Sequence, residues 1–108
     1  KLSMRSGETD IARTVHHPGL EELGRRLAAL VKHPGNLDVD VLERDGVLHV
    51  IDMNVRFGGG YPFSHLAGCR LPDAILRWHH GLGVDTDELR VRIGVTGMKD
   101  IIINERSW

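Results

Sequence analysis

The sequence predicts an α+β fold, and three observations carry that expectation. Residues 18–32 repeat apolar side chains every three to four positions, the spacing of a one-sided helix. "NLDVDVLE" and "VLHVIDMN" alternate at period two around Asp45-Gly46, a strong hairpin signal. The tail, "LRVRIGV" and "DIIIN", is again β-rich. The expected architecture is an antiparallel sheet with a central β-hairpin, packed against two main helices.

In chain order, "KLSMR" reads as a short strand and "SGETD" as a polar segment after it. "HPGLEELGRRLAALVKH" is the clearest helix, with Leu20, Leu23, Leu27, Leu30 and Val31 forming its apolar stripe. Pro18 suits an early helical position, and Glu21, Glu22, Lys32 and His33 match the helix dipole. In the hairpin, Leu37, Val39 and Val41 share one face of the first strand, and Asp38 and Asp40 the other. In the second strand, strict alternation sets Leu48, Val50, Asp52 and Asn54 on one face and Val47, His49, Ile51 and Met53 opposite. Asp40 and the Asp52/Asn54 pair can then share a face, subject to register. "GGGYPF" is a loop, "PFSHLAG" a short helical turn and "LPDAILRWHHGLG" a second helix. "LRVRIGV" and "DIIIN" are expected as a late hairpin or two edge strands.

The 108 residues suit one domain with a modest core. A net charge of −1 gives no broad basic face, so nucleic acid is not an expected partner. No apolar run reaches the roughly 20 residues of a membrane span. Cys69 is the lone cysteine, which excludes an internal disulfide and suits a reducing, cytoplasmic setting.

The chemistry concentrates in residues 40–60. Asp40, Asp52 and Asn54 offer hard oxygen donors, which Mg²⁺ prefers. Arg56, two residues beyond Asn54, can grip a phosphate or carboxylate with paired donors. Gly58, Gly59 and Gly60 lack Cβ atoms, so backbone can approach an anion closely. This combination suits polyphosphate chemistry, although acids on a solvated strand face look the same. The glycines do not form the G-x-x-x-x-G-K-[ST] loop. His16-His17 and His79-His80 are poor zinc pairs, because helical neighbours point about 100° apart. Cys69 reads as an inert, buried thiol, Leu76 and Trp78 as core or interface residues, and Arg90 and Arg92 as an exposed strand face.

"HPGNLDVDVLERDGVLHVIDMNVRFGGGYPFSHLAG" resembles the C-terminal lobe of ATP-grasp enzymes, closest to carbamoyl-phosphate synthase large-subunit-like proteins. "GNLDVD" matches the first metal-ligand strand of that family, and "DMNVR" its E-x-N-x-R strand. The resemblance, which spans roughly residues 4–80, implies Asp40, Asp52 and Asn54 as metal ligands and Arg56 as the catalytic, phosphate-facing residue. It implies Asp52, Asn54, Arg56, Gly58, Gly59 and Gly60 as the nucleotide-binding set. The implied cofactors are ATP and one or two Mg²⁺ ions, with Mn²⁺ able to substitute. Asp52 stands where the family has Glu, one methylene longer, which bears on metal stoichiometry, and Val55 stands where it has Pro. "MRSGET" also resembles the family, which implies that Arg5 and Glu8 face the site, although by themselves they read as a solvated turn; His65 fits a place beside the acceptor pocket and a helix-end role equally well.

The implied reaction turns a carboxylate into an acyl-phosphate for attack by an amine or similar nucleophile. The family's ATP site lies between two lobes, so this chain is expected to be a partial domain over residues 1–108, inactive alone. The N-terminal lobe and a preceding α/β domain would lie upstream of Lys1. Surface that the missing lobe covers is then available for a homo-oligomer or a separately encoded partner. The competing expectation is a non-catalytic interaction domain that keeps the lobe's fold.

Overall fold

Two tight turns of the same kind organise the chain. Ser6 and Gly7 have φ of 50° and 83°, and Asp45 and Gly46 have φ of 52° and 75°. Paired positive φ values match the right-handed twist of flanking strands and close two-residue hairpins. The first turn joins β1 (Ser3–Arg5) to β2 (Glu8–Arg13), and the second joins β3 (Asp38–Arg44) to β4 (Val47–Asn54). The structure, a computed structural model, describes residues 1–100 and 105. Between the hairpins lies α1 (Pro18–Val31); after them come α2 (Tyr61–Leu66), α3 (Leu71–His79), a single 3₁₀ turn (Thr86–Leu89) and β5 (Thr96–Met98).

The α+β class is as expected, but the strands divide into two antiparallel sheets rather than one. β1, β2 and β5 form a three-stranded sheet with β2 in the middle, and β3 and β4 form a sheet of their own. The hairpin is therefore not central. β2 is a strand where only a polar segment was expected; the Ser6-Gly7 turn folds it back on β1. Residues 90–95 form no strand, although "LRVRIGV" is rich in β-formers. Their polar groups go elsewhere: Arg92 N–H donates to the Ala67 carbonyl, and its guanidinium donates to the Ala67 and Leu66 carbonyls. Arg92 thus closes the end of α2, and Arg90 pairs with Asp87, so neither decorates a strand. Most of "DIIIN", residues 101–104, lies outside the described residues.

The hairpin register contains one irregularity with large effect. Asp38, Val39 and Asp40 oppose Asn54, Met53 and Asp52, whereas Val41 opposes Val50. Ile51 is left over, a β-bulge. Because cross-strand partners share a face, the bulge reverses the alternation along β4. Leu48 and Val50 therefore join Val39, Val41 and Met53 on one face, while Asp52 and Asn54 join Asp38 and Asp40 on the other. Strict alternation, which grouped Leu48 and Val50 with the polar pair, is corrected here.

The apolar face meets α1. Leu48 reaches Gly19, and Leu27 and Val31 border a groove with Leu37 and Val39. Yet no residue of α1 is buried, and Leu30 is 78% exposed. The buried side chains among the described residues are Thr9, Phe63, Ala67 and Ala74. Leu76 and Trp78 are exposed on α3, not core. The accessible surface is 8558 Å², against about 6,000 Å² expected for a compact monomer of this mass. The radius of gyration, 15.8 Å, likewise exceeds the roughly 13 Å of a compact chain this long. No helix among the described residues is long and apolar enough to cross a membrane.

Phe63 is the main aromatic anchor of the small core, and it packs on Gly97 of β5. A Cβ at Gly97 would come 2.8 Å from Phe63 Cδ1 and 3.0 Å from Leu66 Cδ2. Gly97→Val should therefore lower stability by about 1–3 kcal/mol through overpacking, read as a drop in the denaturant midpoint. An unchanged midpoint would show that β5 does not hold α2.

Candidate functional site

The β3–β4 face opposite α1 turns its acids toward the first hairpin. The register sets Asp40 beside Asp52 and Asp38 beside Asn54, so four oxygen-bearing side chains occupy one patch. The patch, residues of the β1–β2 turn and the glycine loop enclose an open cavity of about 310 Å³. Six of the seven residues expected at the site line it: Asp40, Asp52, Asn54, Arg56, Gly59 and Gly60. Gly58 lies just behind the wall.

Each group already has a partner. Lys1 Nζ lies 2.6 Å from Asp40 Oδ1. Asn54 Nδ2 donates to Asp52 Oδ2 at 2.7 Å. Arg56 Nη1 donates to the Phe57 carbonyl at 3.1 Å and lies 3.6 Å from Asp38 Oδ2. The Arg56 carbonyl accepts from Asn36 Nδ2 at 2.6 Å, which ties the end of the β4 strand line to the loop before β3. Both partners of the Lys1–Asp40 pair are more than a third exposed, so it adds little stability.

Asp38 belongs to the site, although the sequence reading left it out. Its signal was present: it lies two residues before Asp40, on the same strand face. Its carboxylate packs directly on Gly58, where any Cβ would collide with it. Gly58 thus permits close approach, but of a carboxylate within the protein. Gly59 and Gly60 remain toward the cavity, and the Gly58 and Gly60 carbonyls accept from Tyr61 and Phe63 as α2 begins.

The β1–β2 hairpin contributes a second wall. Glu8 lines the cavity and receives Lys99 Nζ at 3.2 Å. Thr9, at 3% exposure the buried polar residue, lies beside it. Arg5 faces away and pairs with Asp10. His65 does not line the cavity; its Nδ1 meets the Tyr61 hydroxyl at 2.9 Å, and that hydroxyl donates to the Cys69 carbonyl. His79 and His80 stack edge to face instead of converging on a metal.

Among the described residues, no three His, Cys, Asp or Glu side chains converge as a ready metal cage. The donor chemistry still fits a hard dication, which commonly takes one or two protein carboxylates and fills its shell with water and phosphate oxygen. Of the carboxylates lining the cavity, Asp52 alone among the described residues has no ion-pair partner. Comparison with models of known protein families and with curated protein sequences gives no match.

Burial pushes the Cys69 thiol above its ordinary range, against a smaller opposing pull from a hydrogen bond with the Leu71 backbone. The folded chain therefore holds that proton to higher pH than the unfolded chain. Its stabilising contribution is full below the ordinary thiol range and is lost as pH climbs through the raised value. Alkylation of native Cys69 by iodoacetamide should be slower at pH 7.5 than in urea-unfolded protein, and the gap should narrow as pH rises. Equal rates at pH 7.5 would contradict the burial argument. Gly58→Ala should expel the Asp38 carboxylate and free Arg56, seen as chemical-shift changes at both residues by NMR, with a loss of about 1–3 kcal/mol.

Proposed function

We propose that this chain is the C-terminal half of an ATP-grasp clamp. In this reading it works with ATP and Mg²⁺ to activate a carboxylate as an acyl-phosphate, which an amine or similar nucleophile then attacks. One observation carries the reading: Asp40 stands opposite Asp52, with Asn54, Arg56 and a bare glycine loop around the same cavity. That is the set of positions the resemblance singles out, and it includes oxygen donors, a guanidinium and open backbone in reach of one ligand.

Asp52 and Asn54 would hold the ion, with Asp40 on the neighbouring strand. Bound there, Mg²⁺ would neutralise phosphoryl oxygens. Arg56 is exposed and carries more N–H donors than its present partners use, so it can take the transferring phosphoryl group. Gly59 and Gly60 would let phosphate approach the start of α2. Orientation and electrostatics do this work, and no nucleophilic Ser or Cys is needed. Cys69 is half-buried rather than buried, with its thiol pushed up by that burial, and it lines no part of the cavity.

The cavity is open, and the donors that the resemblance singles out come from one side, the β3–β4 hairpin and the loop after it. A second lobe would have to close it over ATP, on the same chain or a separate one. A reduced, ATP-rich cytoplasm is the setting that suits this chemistry. The extra exposed surface favours a second reading, a binding domain whose apolar face recruits a protein partner.

Calorimetry with a non-hydrolysable ATP analogue separates the two. With Mg²⁺ and the second lobe present, binding is expected, and Asp52→Ala should weaken it at least tenfold. If the assembled protein binds no nucleotide, and Asp52→Ala leaves partner binding intact, the interaction reading takes over.

A further inference from the structure

We propose that His17 is a proton-sensitive latch that fastens the start of α1 to the hairpin. His17 is the residue before the first helical position, and its imidazole uses both nitrogens. Nδ1 accepts from the Leu20 N–H at 3.2 Å, a bond that Leu20 shares with the His17 carbonyl at 3.0 Å. Nε2 lies 3.6 Å from Glu43 Oε2 on β3. A ring nitrogen can accept from a backbone N–H only when it carries no proton. The arrangement therefore requires the neutral tautomer with the proton on Nε2, the nitrogen on the Glu43 side.

Gly19 makes the seat for this ring. A Cβ there would stand 3.1 Å from His17 Cε1, 3.2 Å from Nδ1 and 3.1 Å from Leu48 Cδ1. The absent side chain lets the imidazole lie between the first helical turn and the hairpin. The contact lies on the apolar face of β3–β4, opposite the candidate site.

Protonation breaks the arrangement. A proton on Nδ1 meets the Leu20 N–H head-on, and a cation at a helix N-terminus opposes the dipole. Among the described residues, Glu43 is the charged group that pairs with His17. From β3 there is Glu43; β4 presents apolar Leu48; beside it in the chain is His16, paired with Glu21 of α1 at 2.8 Å. Glu43 attracts an imidazolium, but its carboxylate lies 3.6 Å away, beyond hydrogen-bond reach, and is 53% exposed, where added charge gains little. His16, when protonated, adds repulsion. The balance favours release.

Release matters because α1 has little else to hold it. It is a 14-residue helix with no buried residue, and isolated helices of about that length are marginal in water. Imidazoles as a class change charge between about pH 5 and 8, which sets the range over which the arrangement is tested.

The test is amide hydrogen exchange across α1 at pH 7.5 and 5.5, corrected for intrinsic rates, in wild type and His17→Asn. Asparagine caps helices without titrating. Wild type should lose about three-fold in protection from Leu20 to Leu23 on acidification, the scale of a lost cap, while His17→Asn stays flat. Nitrogen-15 NMR of wild type should also show His17 protonated at Nε2 and bare at Nδ1 at pH 7.5. The proposal is overturned by the opposite tautomer, by protection that is unchanged or rises in acid, or by an equal loss in His17→Asn.

Discussion

The register between β3 and β4, with Ile51 left unpaired, is the constraint on which the rest of the molecule depends. Without the extra residue, Leu48 and Val50 would share a face with Asp52 and Asn54. A helix could not then pack on one side of the hairpin while oxygen donors gathered on the other. The bulge resolves that conflict at the level of backbone pairing. It turns the tip half of β4 toward α1 and leaves the carboxylate–amide end toward the first hairpin. Both the apolar contact at Gly19 and the cavity around Asp52 follow from one unpaired residue.

The glycine loop extends the same logic into the second half of the chain. Asp38 packs on Gly58, and Asn36 holds the Arg56 carbonyl, so the segment leaving β4 is tied to the segment entering β3. Arg92 then grips the end of α2 by side chain and backbone, and β5 returns to pair with β2. The cavity walls thus come from two sheets that share no strand, joined through short polar ties and one aromatic anchor, Phe63.

Much of this was legible in the residues. Asp45-Gly46 announced the second hairpin, the Leu23–Leu27 stripe announced α1, and "LPDAILRWHHGLG" announced α3. The pairing of Asp52 with Asn54 on one face was also legible, since their parity survives on the polar side of the bulge, but whether Asp40 joined them depended on a register that the residues left open. The bulge itself was not, because Ile51 and its neighbours suit regular alternation equally well and only pairing exposes the surplus residue. Ser6-Gly7 carried a turn signal whose weight depended on β2 finding partners on both sides. "LRVRIGV" misled because intrinsic β preference yields when a guanidinium and an N–H have better acceptors at a helix end. Asp38 was visible as a neighbour of Asp40, but its seat on Gly58 is a tertiary contact between residues twenty apart.

The broad exposed surface has a thermodynamic meaning of its own. A chain that leaves this much apolar area in water has not finished releasing the free energy its sequence makes available. A surface that covered that area in the native form and not in the unfolded one would make coverage and folding one linked equilibrium. Stability would then rise with the concentration of the covering surface. Such a contact would carry the large negative heat-capacity change that accompanies apolar burial.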